Sequence, residues 1–239
     1  MLKVLDLFSG IGGFSLGLER AGPFRTVAFC EQDQFCQAVL RKHWPDVPIY
    51  DDVRTIDFEG DIDIITGGYP CQPFSVAGKQ KGAADDRHLW PSMFEIIKHK
   101  RPRWVVAENV AGHITMGLDE VLFDLESEGY TARPVVIPAC AVDAPHRRDR
   151  VWIIAAKDVA DAESAGLEGR GVSGNAGKEQ SRFGQGSRPI SDGWLTEPDV
   201  GRVAYGVPNR VDRIRSLGNS VVPQVVAQIG KAIIAAEQQ

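Results

Sequence analysis

The 239-residue sequence has no apolar run near the ~20 residues that a membrane-spanning helix needs. It also shows no signal peptide at its start, so we expect a cytoplasmic protein. Cysteine is scarce, and the four cysteines at positions 30, 36, 71 and 140 have neither CxxC metal spacing nor the density of a disulfide scaffold. We therefore expect no metal site, and at least one thiol that is free to react.

An excess of basic residues is also missing, because the net charge is −5. This argues mildly against a nucleic-acid partner, but phosphate binding needs only a local basic face. Two basic clusters, at residues 146–150 and 210–215, could supply such a face. Composition alone leaves the partner open.

Short apolar runs alternate with amphipathic stretches over the first two-thirds of the chain. The runs predict buried strands at residues 3–8, 26–30, 62–66, 104–107 and 151–155. The amphipathic stretches predict helices at residues 14–21, 32–44, 89–99 and 118–128. This alternation predicts an α/β fold with a doubly wound, mostly parallel sheet, in which ligands bind at the carboxyl ends of the strands. Polar or reactive residues at those ends are Asp6, Glu31, Asp52, Cys71 and Glu108.

The composition changes after about residue 157. Residues 158–193 are rich in Gly, Ser, Asn, Gln and Arg, which is typical of a loop or a partly disordered insert. Near the end of the sequence, Asn219-Ser220 predicts the cap of a last helix with Pro223 in its first turn. Its apolar stripe would consist of Val222, Val225, Val226, Ile229 and Ile233.

A glycine-rich turn follows the first predicted strand, in the segment Asp6-Leu7-Phe8-Ser9-Gly10-Ile11-Gly12-Gly13-Phe14. Glycine allows a tight turn and a close approach of the backbone to a ligand. Glu31 follows the second predicted strand, where a carboxylate can bind ribose hydroxyls. The pair fits any adenosine-containing cofactor, so adenosylmethionine and NAD both remain open from these residues.

A cysteine between prolines favours adenosylmethionine over NAD. In Gly68-Tyr69-Pro70-Cys71-Gln72-Pro73, the prolines exclude Cys71 from regular structure and indicate a rigid turn beyond a strand. Free cysteines are more often inert and buried, a description that suits Cys30, Cys36 and Cys140. Glu108 follows another predicted strand, so a nucleophile and a general acid would share one cleft.

Five segments, in this order, resemble the signature motifs of the C5-cytosine DNA methyltransferases. They are Asp6–Phe14, Pro70-Cys71-Gln72, Glu108-Asn109-Val110, Arg148-x-Arg150 and Gly218-Asn219-Ser220-Val221. The resemblance covers roughly residues 1–157 and 206–239. It implies a Rossmann-like enzyme that transfers a methyl group from S-adenosylmethionine to C5 of cytosine in DNA, through a covalent bond between Cys71 and C6 of a flipped base.

The same resemblance implies roles for individual residues. Cys71 would be the nucleophile, Glu108 would act at N3 of cytosine, Arg150 would hold O2, and Arg148 would support the site. The implied cofactor-binding residues are Phe8, Ser9, Gly10, Gly12, Gly13, Glu31, Gln32, Asp52, Val53, Leu89, Asn219 and Ser220. The implied DNA-binding residues are Gln72, Ser75, Arg147 and Arg213.

Three departures from the family pattern concern recognition more than chemistry. Gln32 stands where the family often has a large apolar or aromatic residue, and His146 stands where it usually has glutamine. The region between the arginine motif and the last helix is short. The expected organisation is a catalytic domain (1–157), a short target-recognition region (158–205) and a C-terminal segment returning to the catalytic domain (206–239).

Double-stranded DNA is the expected partner, bound by a monomer or with an accessory chain for target recognition. The alternatives are methylation of cytosine in RNA, such as tRNA, and a catalytically silent DNA-binding homologue. A generic NAD enzyme has no use for Pro70-Cys71-Gln72. The chemistry is the same in a restriction–modification pair and in a phage, so the residues do not separate these settings.

Overall fold

A computed structural model describes residues 1–70, 89–157 and 210–238. These residues form one seven-stranded sheet with the strand order β3-β2-β1-β4-β5-β7-β6. The strands are β1 (Leu2–Leu7), β2 (Phe24–Cys30), β3 (Ile49–Tyr50), β4 (Ile64–Gly67), β5 (Trp104–Val110), β6 (Tyr130–Pro138) and β7 (Asp149–Lys157). The first five are parallel, whereas β7 is antiparallel to both β5 and β6. The mostly parallel, doubly wound sheet expected from the sequence is therefore present.

Helices cover both faces of this sheet. In the described residues they are α1 (Gly13–Ala21), α2 (Gln34–His43), α3 (Trp90–Lys100), α4 (Leu118–Ser127), α5 (Arg210–Asn219) and α6 (Pro223–Glu237). None of them has both the length and the apolar character that crossing a bilayer requires. The four helices and five strands predicted within residues 1–157 all correspond to observed elements.

Strands β3 and β6 were not predicted. Strand β3 has only two residues, too few for a pattern. Strand β6 lies at the edge of the sheet and is mostly exposed, so its sequence does not alternate between apolar and polar residues. It also contains Pro134, which an edge strand tolerates because one side of its backbone has no partner strand.

The central strands divide their side chains between two apolar cores. On β1, Val4 packs with Leu18 and Ile229 on the side of α1 and α6. Leu5 faces the opposite side, where Met93 of α3 belongs to the same cluster. Residues on both faces of these strands are buried, as is usual for parallel strands covered by helices on each side.

Helix α6 packs against α1 with unusually close backbones. A Cβ atom on Gly17 would lie 2.5 Å from Cβ of Val226, and one on Gly230 would lie 2.7 Å from Cβ of Ala21. The predicted apolar stripe of α6 is observed, although Val222 is only partly buried. The predicted cap was wrong, because Val222 is the N-cap residue and Pro223 begins the helix without a side-chain cap.

The division into domains stays a prediction, because the expected target-recognition region lies outside the described residues. Residues 210–238, which follow it, contribute α5 and α6. Helix α6 belongs to the core beneath the glycine-rich turn, since Val225 and Val226 are buried in the same cluster as Phe14 and Leu18.

Candidate active site

A cavity of about 510 Å³ opens at the carboxyl ends of the parallel strands. The antiparallel strand β7 begins at this same edge, so residues just before and at its start also reach the cavity. The lining includes eight of the predicted cofactor-binding residues: Phe8, Gly10, Glu31, Gln32, Asp52, Val53, Leu89 and Asn219. It also includes three of the predicted catalytic residues, Glu108, Arg148 and Arg150. The volume is within the range of about 300–1,000 Å³ found for small-molecule sites.

The turn after β1 has a left-handed backbone at three residues, two of which, Phe8 and Gly10, line the cavity. Phe8 has a φ of 53°, Gly10 of 54° and Gly12 of 84°. Glycine adopts this conformation readily, whereas for Phe8 it is strained. The backbone N–H of Gly12 donates to the carbonyl oxygen of Ser9 at 2.8 Å, which closes the turn before α1 begins.

Glu31 holds this turn with its side chain. Its Oε2 accepts a hydrogen bond from the N–H of Gly10 at 2.7 Å, and its Oε1 accepts one from the N–H of Asp33 at 2.7 Å. The carboxylate is therefore fixed between the turn after β1 and the start of α2. An ionised carboxylate has about four lone-pair sites, so both oxygens can still accept from a ligand.

Asp52 is engaged by a neighbouring side chain. Arg54 donates to both oxygens of its carboxylate, with Nη2 at 2.8 Å from Oδ2 and Nε at 3.0 Å from Oδ1. These hydrogen bonds hold the pKa of Asp52 below its ordinary value. Asp52 is thus an ionised acceptor at the cavity, and Arg54 determines its orientation.

Four predicted cofactor residues lie beside the cavity and not in its described lining. Ser9 donates from its hydroxyl to the carbonyl oxygen of Asp6. A Cβ on Gly12 would lie 2.6 Å from the ring of Trp44, and one on Gly13 would lie 2.8 Å from Val221. Ser220, the fourth, lies against Gly13. In this structure these residues shape the turn by close packing, and their contact with a cofactor stays a prediction.

Glu108 and Arg150 form an ion pair across β5 and β7. Val110 lies directly opposite Arg150, so Glu108, two residues earlier on β5, is a diagonal neighbour on the same face. Nε of Arg150 lies 2.9 Å from Oε1 of Glu108, and Glu108 is only 8% exposed. Burial raises the pKa of Glu108 above its ordinary value, while Arg150 and then Arg148 oppose the shift. The site therefore contains a shielded carboxyl group with an elevated pKa.

Arg148 joins two distant parts of the chain. Its Nη2 donates to the carbonyl oxygens of Gly218 and Ser220, at 2.8 and 2.9 Å. These residues flank Asn219, which lines the cavity. Arg148 itself has a left-handed φ of 39°. One side chain, just before β7, thus binds the end of α5 and the residue that follows it.

Cys71, Gln72 and Ser75 lie outside the described residues. Tyr69 and Pro70, which precede Cys71, both line the cavity. Two other thiols also line it, but burial raises the pKa of Cys30 to about 12 and that of Cys36 to about 11. Neither is a thiolate at neutral pH, so neither is a suitable nucleophile.

The two described residues predicted to bind DNA are exposed and outside the cavity lining. Arg147 forms an ion pair with Asp149, with Nε 3.0 Å from Oδ2. Arg213 lies on α5. The nearby Arg215 was not predicted individually, although it belongs to the same basic cluster. It lines the cavity and lies 3.8 Å from the carboxylate of Asp33.

Asn109 is a further residue of the site to which the sequence had assigned no role. Its Nδ2 donates to the carbonyl oxygen of Tyr69 at 3.1 Å, which ties the end of β5 to the segment preceding Cys71. Asn109 is part of the Glu108-Asn109-Val110 motif, so the signal was present in the sequence. The sequence did not indicate that Asn109 would bind the backbone of Tyr69, 40 residues earlier.

Comparison with known proteins places this arrangement in a family. The family model described as C-5 cytosine-specific DNA methylase matches residues 2–187. The chain belongs to this family. The family resemblance inferred from the ordered motifs is therefore confirmed, and the cavity lies among the motif residues that the structure describes.

Individual relatives match about two-thirds of the chain. The type II methyltransferase M2.BsuMI of Bacillus subtilis is 37% identical over 163 residues, which are 64% of this chain and 42% of the relative. The crystal structure of Dnmt2 methyltransferase from S. pombe superimposes with a TM-score of 0.59 at 25% identity, covering 66% of this chain and 51% of that one. DNMT2 of Spodoptera frugiperda, as a mutant, gives a TM-score of 0.59 at 21% identity, covering 67% and 51%. The chain thus spans about half the length of these proteins, and the Rossmann-like methyltransferase fold is confirmed.

Proposed function

We propose that this chain transfers a methyl group from S-adenosylmethionine to C5 of cytosine in DNA, with Cys71 as the nucleophile. The observation that carries the proposal is the shared cavity. Its lining combines Gly10 of the turn and the carboxylate of Glu31 with the ion pair of Glu108 and Arg150. Pro70, directly before Cys71, lies in the same lining. Family membership supports the same reaction.

The residues on the cofactor side fit S-adenosylmethionine. Glu31 offers acceptors for ribose hydroxyls, and Asp52 offers an acceptor for the adenine amino group. Asn219, held by Arg148, would bind the amino-acid end of the cofactor. When bound, the cofactor supplies the methyl group as an electrophile and leaves as the neutral thioether.

Cys71 makes C5 of cytosine reactive by adding to C6. The bond between its thiolate sulfur and C6 interrupts the aromatic ring and leaves C5 as an enamine carbon that can accept the methyl group. The C5 proton then leaves to a base, for which water suffices, and the thiolate is expelled as the C5–C6 double bond re-forms. The arginines at the cavity, Arg148 and Arg150, supply positive charge that favours a thiolate there.

Glu108 would balance the charge that develops on the ring. Negative charge accumulates toward N3 as the sulfur adds, and a carboxyl group with a raised pKa can donate a proton or hydrogen bond to N3. Arg150, which orients Glu108, would also donate to O2 of the base. The two side chains therefore form one unit facing the edge of the flipped cytosine.

The proposed substrate is double-stranded DNA from which the target base is extruded. No side chain reaches C6 inside a stacked duplex, so the base must swing out at a cost of a few kcal/mol. The exposed Arg147 and Arg213 would contact phosphates beside the cavity. Residues 158–205, with or without an accessory chain, would select the target sequence.

The test is methyl transfer from labelled S-adenosylmethionine to duplex DNA, together with trapping on DNA that contains 5-fluorocytosine. Fluorine takes the place of the C5 proton, and a base cannot remove it. The adduct with Cys71 should therefore persist in the wild-type protein. We expect Cys71→Ala to abolish both turnover and trapping while leaving cofactor binding largely intact. Cys140→Ala is the matched control, since Cys140 is an exposed free cysteine outside the cavity lining.

The control variant tests the choice of Cys71 as nucleophile, and the choice of substrate tests whether DNA or RNA is methylated. Full turnover by Cys71→Ala, or loss of turnover in Cys140→Ala, would contradict the choice of nucleophile. Running tRNA in parallel with duplex DNA separates RNA methylation from DNA methylation. An absence of transfer to both substrates would favour the silent DNA-binding homologue. Bisulfite or nanopore sequencing of DNA from expressing cells would then identify the target sequence.

A further inference from the structure

A buried tyrosine–histidine pair lies directly behind the segment that leads to Cys71. The hydroxyl oxygen of Tyr69 is 2.7 Å from Nε2 of His113, and the two rings meet edge to face with their centroids 5.4 Å apart. Tyr69 is 4% exposed and His113 is 5% exposed. Tyr69 lines the cavity, whereas His113 is not among its lining residues and belongs to the 3-10 turn Ala111–Thr115 that follows β5. The proposed chemistry gives His113 no part.

Tyr69 is held at its backbone as well as at its hydroxyl. Asn109 donates to its carbonyl oxygen at 3.1 Å, from the end of β5. Its ring packs on Trp90, with centroids 5.1 Å apart, and Trp90 is in turn fixed by a hydrogen bond from its Nε1 to Asp124 at 2.8 Å. The hydrogen bond with His113 adds a directional contact at the far end of the ring.

These contacts hold Tyr69, the residue two positions before Cys71 in the sequence. Trp90 comes shortly after residue 88. The contact between the rings of Tyr69 and Trp90 therefore joins the described residues on either side of residues 71–88. Reaction at C6 requires the sulfur to approach within about 3–3.5 Å in the correct direction, and a displacement of about 1 Å can slow a reaction about a hundredfold. A small rotation of Tyr69 would move Pro70, the residue that is bonded to Cys71 and lines the cavity.

We propose that His113 is a positioning residue for Cys71, acting through the hydroxyl of Tyr69. The role rests on the proposed function, because it presupposes that Cys71 attacks the base. Burial alone does not require a polar pair here, since two apolar rings would fill the space. A hydrogen bond at 2.7 Å, in contrast, sets the direction of both rings at once.

The first test removes the hydroxyl of Tyr69 and measures how fast the covalent adduct forms. Tyr69→Phe keeps the ring and its packing on Trp90 but removes the hydrogen bond to His113. Because that hydrogen bond orients the ring, we expect about tenfold slower adduct formation on 5-fluorocytosine DNA. KM for S-adenosylmethionine should stay unchanged, because the contacts of Glu31 are untouched. Tyr130→Phe is the matched control: the Tyr130 hydroxyl donates to the carbonyl oxygen of Pro102 at 2.8 Å from a buried position outside the cavity lining.

The second test asks whether the two side chains act as a pair. His113→Phe should slow adduct formation as much as Tyr69→Phe, and the double variant should be no slower than either single one. His113→Gln, which keeps a polar nitrogen within reach of the hydroxyl, should restore part of the rate. Tm is measured for every variant, so that slower adduct formation is separated from unfolding.

The outcomes separate this role from the proposed function. Equal rates for Tyr69→Phe and Tyr130→Phe would overturn the positioning role while leaving the proposed function intact. Additive losses in the double variant, or no recovery with His113→Gln, would overturn it as well. A wild-type protein that forms no adduct would overturn the proposed function, and the positioning role with it.

Discussion

Replacing Asp6 with asparagine is expected to make the stability of the protein less dependent on pH. Asp6 is fully buried at the end of β1, where its oxygens accept hydrogen bonds from Ser15 at 2.7 Å and Thr66 at 2.9 Å. Burial raises its pKa from 3.8 to about 7, more than these two hydroxyl donors lower it. Asparagine has the same shape and no charge to bury.

The sign and size of the effect follow from the two protonation states. The unfolded chain ionises Asp6 above about pH 4, whereas the folded protein keeps it protonated up to about pH 7. The folded state therefore binds more protons in this interval, and the free energy of unfolding falls as the pH rises through it. At ~1.4 kcal/mol for each pH unit, the loss reaches about 4 kcal/mol and levels off above about pH 7.

The assay is urea denaturation of the wild-type protein and Asp6→Asn at several pH values between about 5 and 8. The difference between their unfolding free energies should change by ~3 kcal/mol over this range, in favour of the variant at high pH. Thr66→Val, which removes one donor to the carboxylate, should extend the decline of stability to higher pH. A difference between wild type and Asp6→Asn that is constant over the range would refute the reasoning.

Three further changes test the cofactor side and the core. Glu31→Gln should raise KM for S-adenosylmethionine about tenfold or more, since it removes the charged acceptor that also holds Gly10; equal affinity in calorimetry would contradict this. Arg148→Lys should raise KM for S-adenosylmethionine with a smaller change in kcat, because an ammonium group cannot reproduce the geometry of the guanidinium toward the carbonyls flanking Asn219. A change confined to kcat would contradict this role of Arg148. Ile233→Ala should cost about 2–5 kcal/mol of unfolding free energy in urea denaturation, because the side chain is fully enclosed between α6 and the sheet; a cost below about 1 kcal/mol would show that the site collapses to fill the space.

The sequence predicted structure best where a residue type favours one kind of local structure. Glycines in the turn after β1 and apolar runs in the central strands predicted the sheet and its ligand-binding edge. Contacts between distant residues were not predictable in this way. Asp6 was expected among the polar residues at the strand ends, yet its side chain points to the interior, because Ser15 and Thr66 provide donors there. Arg148 was expected to support the site, but its carbonyl partners lie about seventy residues further along the chain.

His113 illustrates the same limit. Nothing near it in the sequence marks it as different from an ordinary buried histidine. Its partner, Tyr69, is 44 positions away and is brought close only because β4 and β5 are neighbours in the sheet. Strand pairing of this kind depends on the whole fold, so local patterns do not contain it.

The carboxylate of Glu31 has two uses that are linked by thermodynamics. It already anchors the left-handed turn through Gly10, and the proposed ribose contacts would draw on the same two oxygens. A nucleoside ligand that binds these oxygens would bind the folded protein, in which the turn is formed, and not the unfolded chain. Saturation with such a ligand should therefore raise the Tm of the protein. Thermal shift with S-adenosylhomocysteine, which has no methyl group to transfer, would report this linkage without any turnover.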